Sequence, residues 1–451
     1  MNVRSNRAVE LCLLTCVLAV SPLFVAAGIA APAQWPTLGG DFTRTGASPH
    51  EGLTEGGAAW IREVDGATIG SVTVGLDGRV HAASEDGKLY TLGADGTILW
   101  IADVNVPLVS TPSIGSDGSL FVGGEDGKLR VISSDGVLRW TFGAEDGVYA
   151  APAVAPGGAV YVGSADGTLY ALDADGSEQW RFRTKGPGRV PNGAIFASPS
   201  LATDGTVYVG GLYDPNLYAL NPGDGTVKWV CNFALYPEYE SDPDSAKTGG
   251  WPFAAPVVGA DGTIYQSLLY DSHLYAIDPS DGAILWATDL LDCPAINTGA
   301  EDFNPDADGW SEPVIAPDGT IYVSLDDPYL RAIAPDGVIK WATRLGDLGA
   351  FTLTTDARGW VYAACDDGYV YVVDADGLQI GRWETTGWPI YPVIASDGAV
   401  LVGDSRDDSM LITGARNAIQ ALTIDSLQDP APEPEPEPET EAEADPNVVW
   451  R

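Results

Sequence analysis

The sequence contains few of the side chains that most catalytic centres and nucleic-acid interfaces require. Its 451 residues include three histidines, two methionines and five cysteines, and 23 lysines and arginines stand against 63 aspartates and glutamates. The formal charge of −40 predicts a surface that repels phosphate backbones, which excludes nucleic acid as a partner. Three histidines leave little material for histidine-based catalysis, and we identify no catalytic residue.

A helical pattern is also missing. Glycine (54) and proline (32) are plentiful, and no sustained heptad spacing of apolar residues occurs. Apolar and polar residues instead alternate in short runs that Asp-Gly turns separate, as they do in antiparallel strands. With 45% hydrophobic residues, the chain has enough material for a large core. The sequence therefore predicts an all-β protein.

A unit of about 40 residues recurs along most of the chain. Eight units open on segments such as AspGlyThrValTyr (204–208), and each predicts four short strands. Such repeats are typical of β-propeller blades. We predict an eight-bladed β-propeller of four-stranded antiparallel blades, with seven blades as the alternative because the last unit, from Asp397, is degenerate.

A tryptophan on the predicted outermost strand marks most units and would dock against the adjacent blade. Trp60 precedes the first unit, which predicts that the ring closes by pairing of N- and C-terminal strands. The predicted blade-docking residues are Trp60, Trp100, Trp140, Trp180, Trp229, Trp286, Trp341 and Trp383.

Residues 160–180, ValTyrValGlySerAlaAspGlyThrLeuTyrAlaLeuAspAlaAspGlySerGluGlnTrp, resemble the PQQ-like (pyrroloquinoline-quinone) β-propeller repeat. Residues 35–49 resemble the segment that leads into such propellers, so the resemblance covers about 35–424. It implies the fold but not one function, since the family contains redox enzymes and non-catalytic scaffolds such as the outer-membrane assembly lipoproteins.

The family resembled here includes quinoprotein dehydrogenases. If this chain were one of them, the resemblance would imply a quinone at the propeller axis, a calcium ion, a catalytic aspartate and a disulfide between adjacent cysteines. This sequence has neither adjacent cysteines nor a Cys-x-x-Cys-His haem site. We therefore expect no PQQ cofactor. A PQQ-dependent alcohol or sugar dehydrogenase is the alternative.

The two ends of the chain differ from the repeats. Residues 1–33 have the basic start, apolar run and small residues of a signal peptide, and 34–56 form a lead-in segment. The propeller is predicted over 57–426, and 427–451 is predicted to be an acidic, Pro/Glu-rich disordered tail. We expect an exported monomer in the periplasm, at the cell surface or outside the cell, without a transmembrane helix after signal removal.

The longest insertions fall in blades 4–6, in loops that strand alternation places on one face. Long loops on a rigid scaffold favour binding, so we predict a non-catalytic binding or scaffold module for a protein, peptide or glycan. The alternative is that these aromatic residues only pack their own loops. The candidate binding residues are Tyr213, Tyr236, Tyr239, Trp251, Tyr270, His273, Trp310 and Tyr329.

One acidic run has the spacing of a calcium loop. Asn304, Asp306, Asp308 and Glu312 place oxygen ligands near Gly309. Ile315 replaces the carboxylate that an EF-hand needs at its twelfth position, and an ordinary acidic turn is the alternative. Calcium is thus the only metal that the sequence suggests.

The remaining histidine and cysteine candidates have structural interpretations. Cys231 and Cys293 begin long loops on neighbouring blades, so a disulfide could join them in an exported protein. Cys365 lies within a strand run and is expected to be a buried free thiol. His81 occupies the slot of a core aromatic residue in other units and is expected to be a core residue.

Overall fold

The computed structural model describes 36–52, 60–64, 71–185, 193–235, 250–269, 271–292, 311–346, 350–384, 388–396, 398–405 and 417–422. These residues contain β-strands and one short 3-10 helix, Phe233–Leu235. The all-β prediction is confirmed. The predicted signal peptide (1–33) and tail (427–451) lie outside the described residues. Within those residues, no helix has the length and apolar character needed to cross a lipid bilayer.

The described strands form eight four-stranded sheets, here called blades 1–8. Strand β1 spans Trp60–Val64. Blade 1 contains β2 (Thr73–Val74), β3 (Val80–Ala83), β4 (Lys88–Leu92) and β5 (Ile98–Asp103). Blade 2 contains β6 (Ser113–Ile114), β7 (Leu120–Gly123), β8 (Lys128–Ile132) and β9 (Leu138–Gly143). Blade 3 contains β10 (Ala153–Val154), β11 (Val160–Gly163), β12 (Thr168–Leu172) and β13 (Glu178–Arg183). Blade 4 contains β14 (Ser200–Leu201), β15 (Val207–Gly211), β16 (Asp214–Leu220) and β17 (Val227–Asn232).

The second half of the ring continues in the same way. Blade 5 contains β18 (Val257–Val258), β19 (Ile264–Ser267), β20 (His273–Ile277) and β21 (Ile284–Asp289). Blade 6 contains β22 (Val314–Ile315), β23 (Ile321–Ser324), β24 (Tyr329–Ile333) and β25 (Ile339–Arg344). Blade 7 contains β26 (Ala350–Thr355), β27 (Val361–Cys365), β28 (Tyr369–Val373) and β29 (Gln379–Glu384). Blade 8 contains β30 (Trp388–Ile394), β31 (Val400–Ser405), β32 (Asn417–Leu422) and β1.

All strand pairs within these blades are antiparallel, and seven of the blades follow chain order. Blade 8 is the exception, because β1 forms its fourth strand next to β32. In that pair Trp60 lies opposite Ala421 and Val64 lies opposite Asn417. The predicted eight-bladed propeller is confirmed, and β1 pairs with the last strand, β32.

Packing between blades explains the apolar composition of the inner strands. The second strand of a blade, such as β11, is buried along its whole length because sheets cover both of its faces. The outermost strand, such as β13, instead alternates exposed and covered residues. The cores form a closed ring, since Val74 of blade 1 packs in one cluster with Val393 and Leu401 of blade 8.

The repeated tryptophans join each blade to the next. The Nε1 of Trp180 donates a hydrogen bond of 2.8 Å to the carbonyl of Pro222 in blade 4. The indole covers Gly225, which has φ +69°, and a Cβ there would lie 2.4 Å from the ring atom Cε3. Glycine is therefore needed beneath the ring. Hydrogen bonds from Nε1 to the next blade recur at Trp100, Trp229, Trp286 and Trp341, and the ring of Trp140 covers Gly176. The side chains of Trp60 and Trp383 lie outside the described residues.

An aspartate fixes the turn between the second and third strands of most blades. In blade 3, Asp166 accepts hydrogen bonds from the backbone N of Thr168 (2.7 Å) and the hydroxyl of Tyr170 (2.8 Å). In blades 2 and 6 an arginine replaces this tyrosine, and Arg130 and Arg331 form ion pairs with their turn aspartates. The turn aspartate is thus engaged within its own blade.

Candidate functional site

The antiparallel topology gives the ring two different faces. One face, here called the loop face, carries the links between blades and the turns between second and third strands. The opposite face, here called the turn face, carries the other two turns of each blade. The link and the turn meet on the loop face, where the backbone N of Glu145 donates a 3.0 Å hydrogen bond to Asp166. Most residues of the long insertions predicted from sequence lie outside the described residues.

Two of the predicted binding residues form one aromatic pair on the loop face. The rings of Tyr213 and Trp251 lie 4.5 Å apart, edge to face. Tyr213 is 39% exposed and has φ +63°, because it sits at the tight turn before Asp214. Trp251 is half-buried and forms an isolated β-bridge with Leu269. The pair is a partly exposed apolar platform between blades 4 and 5.

Two other predicted residues point into the blades. The imidazole Nδ1 of His273 lies 2.8 Å from a carboxylate oxygen of Asp271, and its ring packs near that of Tyr275. Tyr329 is only 6% exposed and packs against Ile339. Tyr329 begins a strand whose residues are all buried, so it packs within the blades, and its role in binding stays a prediction.

Several predicted positions are not described. Tyr236, Tyr239, Tyr270 and Trp310 lie outside the described residues, as do Asn304, Asp306 and Asp308 of the calcium-like run. Within the described ranges, no group of three or more histidine, cysteine, aspartate or glutamate side chains is arranged to hold a metal ion. The calcium site stays a prediction.

Of the three cysteines considered above, two are described and one is not. Cys231 is buried and carries a free thiol in the structure, and Cys293 lies outside the described residues, so the predicted disulfide stays a prediction. Cys365 is a buried free thiol, as predicted. Burial raises the pKa of both described thiols, and nearby Asp367 adds to the effect at Cys365. Both are poor nucleophiles for that reason.

The sequence analysis missed a second group of aromatic residues on the loop face, here called the aromatic arc. It comprises Tyr149, Phe196 and Phe253, which are half-buried and lie in three successive links just before innermost strands. The ring of Phe196 lies 5.4 Å from that of Tyr149 and 6.2 Å from that of Phe253. Each arc residue stands three positions before a proline, a recurrent spacing that could have revealed the group.

Acidic residues lie on the other part of the loop face. Glu85 and Glu125 precede the turn aspartates of blades 1 and 2, and Asp326 and Asp366 hold the same position in blades 6 and 7. Burial raises the pKa of Glu85 and neighbouring Glu125 raises it further. Burial, then Asp326 and Asp367, raise the pKa of Asp366 to about 6. Carboxylates of adjacent blades therefore repel one another.

The lead-in segment, 36–52, lies at the axis of the ring. The backbone carbonyl of Phe42 accepts a hydrogen bond from Leu201 (2.8 Å), and that of Thr45 accepts one from Ile315 (2.7 Å). Further bonds join the segment to innermost strands at Ile114, Val258, Thr355 and Ile394. Each of these strand residues ends an innermost strand, and innermost strands line the axis of a propeller. The segment therefore winds around the turn-face end of the axis and bonds to six of the eight blades.

Arg44 anchors this segment. It is 1% exposed, and its guanidinium donates hydrogen bonds to the carbonyls of Leu38 (2.7 Å), Pro199 (2.9 Å) and Ala151 (3.3 Å). Burial lowers the pKa of Arg44 to about 10, which leaves it charged at neutral pH, and nearby Glu312 opposes the shift.

A small cavity remains beside Arg44. Its volume is about 10 Å³, and Arg44, Glu312 and Tyr391 supply its polar lining. That volume accommodates about one water molecule. Glu312, a predicted calcium ligand, accepts a 3.4 Å hydrogen bond from the backbone N of Ala255 and thus lies at the axis.

Comparisons with known proteins agree with this architecture. The family model described as outer membrane protein assembly factor BamB matches 52–145, 77–267 and 270–424. BamB from Moraxella catarrhalis is 19% identical with a TM-score of 0.62, over 80% of this chain and 98% of that one. Quinohemoprotein alcohol dehydrogenase from Comamonas testosteroni is 15% identical with a TM-score of 0.69, over 89% of this chain and 82% of that one. At such identities the structures demonstrate a shared fold alone. No curated protein sequence matches the chain.

Proposed function

This chain belongs to the PQQ-like repeat family of the outer membrane protein assembly factor BamB, and on that premise we propose that it is a non-catalytic binding or scaffold protein. Its ligand is a protein, peptide or glycan held on the loop face of blades 4–6. Among these ligands, a protein partner is favoured because the family model describes an outer membrane protein assembly factor. The same description favours a periplasmic or envelope location. The absence of a cofactor is part of the proposal.

The lead-in segment at the axis is the observation that carries this proposal. Pockets for cofactors and other small ligands usually have volumes of about 300–1,000 Å³, whereas the cavity beside Arg44 measures about 10 Å³. A tricyclic quinone is larger than this cavity, which supports the proposed absence of a cofactor. The partly exposed Tyr213–Trp251 pair offers apolar surface of the kind that interfaces use.

The pair is also suited to experiment, because both side chains lie outside the buried core and can be truncated to alanine. We expect the variant Tyr213→Ala/Trp251→Ala to retain its melting temperature within a few degrees and to lose its partner. The measurement is quantitative co-purification from an envelope extract, with wild type and variant compared at equal concentration. The control, Val137→Ala/Val338→Ala, removes two apolar side chains that are each 60% exposed at hairpin turns of the turn face.

Retention of every partner by a stably folded Tyr213→Ala/Trp251→Ala variant would contradict binding through this pair. Loss of the same partner by the control would also contradict it, because general stickiness would then explain the capture.

The alternative is a PQQ-dependent alcohol or sugar dehydrogenase, which the shared fold with a quinohemoprotein alcohol dehydrogenase keeps in view. Incubation of the protein with PQQ and calcium, followed by dye reduction with alcohols or aldoses, separates the two functions. We expect no reduction above the rate of the protein without PQQ. Substrate-dependent turnover would overturn the non-catalytic proposal.

A further inference from the structure

The residue just before each turn aspartate differs in chemistry from blade to blade. The aspartate itself is engaged by its own blade, as the Asp166–Tyr170 bond illustrates. The preceding position is acidic in blades 1, 2, 6 and 7, alanine in blade 3 and tyrosine in blades 4 and 5. In ring order these residues are Glu85, Glu125, Ala165, Tyr213, Tyr270, Asp326 and Asp366. The turns of blades 1, 2, 6 and 7, here called the acidic sector, therefore carry carboxylates, and among the other described turns those of blades 3 and 4 are apolar or aromatic.

The links between blades 2 and 5 also carry aromatic residues. The aromatic arc, Tyr149, Phe196 and Phe253, lies between blades 2 and 5, on the side of Tyr213 and Trp251. The acidic sector and the aromatic arc meet at Tyr149, where burial and the charges of Glu125 and Asp146 raise the pKa of the phenol. A single ligand at this border would contact carboxylates and aromatic rings together.

We propose that the loop face binds a cationic, amphipathic peptide segment of a partner protein, with its basic side chains on the acidic sector and its apolar side chains on the aromatic arc. This proposal rests on the proposed binding function and specifies its ligand. Charge complementarity selects a cation, since the chain carries −40 and adjacent carboxylates of this sector repel one another. Aromatic faces also attract lysine and arginine directly.

A peptide fits both sectors better than other ligands do. Neutral glycans would stack on the aromatic rings but would leave the carboxylate repulsion in place. Anionic glycans and nucleic acids would add to that repulsion. An extended or helical peptide with basic and apolar side chains satisfies both sectors at once.

The test uses the full chain and three fluorescent peptides of equal length. The first alternates lysine with leucine, the second replaces lysine with glutamate, and the third replaces leucine with serine. Fluorescence anisotropy at about 50 mM and 300 mM salt gives the dissociation constants, since screening increases over this range. We expect the first peptide to bind more tightly than both others, and to weaken with salt.

Two charge-matched variants locate the binding face. We expect Glu85→Gln/Glu125→Gln to weaken binding of the lysine–leucine peptide about tenfold, as loss of two attractive charges predicts. Asp175→Asn/Asp376→Asn removes the same charge from exposed hairpins of the turn face, and we expect less than about a twofold effect. A third variant, Phe196→Ala, is expected to weaken the lysine–leucine peptide and not the lysine–serine peptide.

Equal effects of the two charge variants, or equal binding of the leucine and serine peptides, would overturn this proposal. So would a failure of the lysine–leucine peptide to bind wild type. None of these results would decide the co-purification experiment with Tyr213→Ala/Trp251→Ala, because that experiment tests the binding function itself with the native partner. The melting temperature of each variant identifies loss of folding as a separate cause.

Discussion

At the residue scale, His81 occupies a repeated core position, and its buried imidazole is expected to make the stability of the protein depend on pH. It occupies the position that Tyr161 holds in blade 3, is 5% exposed, and its ring lies 6.3 Å from that of Trp100. Its Nδ1 lies 2.8 Å from the hydroxyl of Thr91. Burial lowers the pKa of His81 from 6.5 to about 4, so the folded protein holds a neutral imidazole in its core.

We expect His81→Phe to make the protein more tolerant of acid. The unfolded chain binds the imidazole proton below pH 6.5 and the folded protein only near pH 4, so wild-type stability falls as pH decreases through that range. At pH 5 the penalty is about 2 kcal/mol, and the variant lacks it. Urea unfolding at pH 5 and pH 8 measures the difference. Parallel changes in wild type and variant would show that the imidazole is not the source.

At the element scale, the contact between an indole and a glycine sets the junction of neighbouring blades. Gly282 has φ +78°, and a Cβ there would lie 2.5 Å from Cε3 of Trp229. Gly262 has φ +91°, yet the nearest atom to its Cβ would be 3.5 Å away on Pro279. The two glycines therefore separate backbone strain from a clash with the tryptophan.

We predict that Gly282→Ala destabilises the protein by about 3 kcal/mol and Gly262→Ala by about 1–2 kcal/mol. Both variants pay for a left-handed backbone, but only the first displaces an indole. Chemical denaturation followed by tryptophan fluorescence gives both values. Equal losses would mean that the indole adjusts freely and that its packing contributes little to the blade junction.

The sequence predicts these elements well because their information is local and repeated. Alternation and Asp-Gly turns locate the strands, and the missing partner of Trp60 indicates the closing strand. The burial of Tyr329 was not expected from the sequence, because a loop-like AspAspProTyr run leads directly into a buried strand. The aromatic arc was missed because its residues resemble ordinary strand starts until the links of several blades are compared.

The path of the lead-in segment could not be predicted in this way. Residues 36–52 have no counterpart in the repeats, and their hydrogen bonds reach strands distant in sequence, such as the 2.7 Å bond between Thr45 and Ile315. Such contacts exist only after the ring has formed. The resemblance of 35–49 to a family segment located its start but not its place in the axis.

At the scale of the whole molecule, Arg44 should stabilise the entire ring. Arg44→Met would leave three buried carbonyls without their donor and Glu312 without its nearest opposite charge. We expect a loss of about 3–5 kcal/mol. The control is Arg139→Met, because Arg139 pairs with Asp117 at 2.6 Å on the surface with a side chain 47% exposed, where about 0–1 kcal/mol is expected. Thermal unfolding and limited proteolysis compare the two, and similar losses would contradict an anchoring role.

The pairing of Trp60–Val64 with Asn417–Leu422 means that the last blade is complete only when both of these segments are present. A polypeptide cut short anywhere before residue 417 lacks the strand that β1 needs, and β1 would keep an open edge of backbone donors and acceptors. Such an edge is available to proteases and to other unfinished chains. Only a polypeptide that includes residues 417–422 covers this edge.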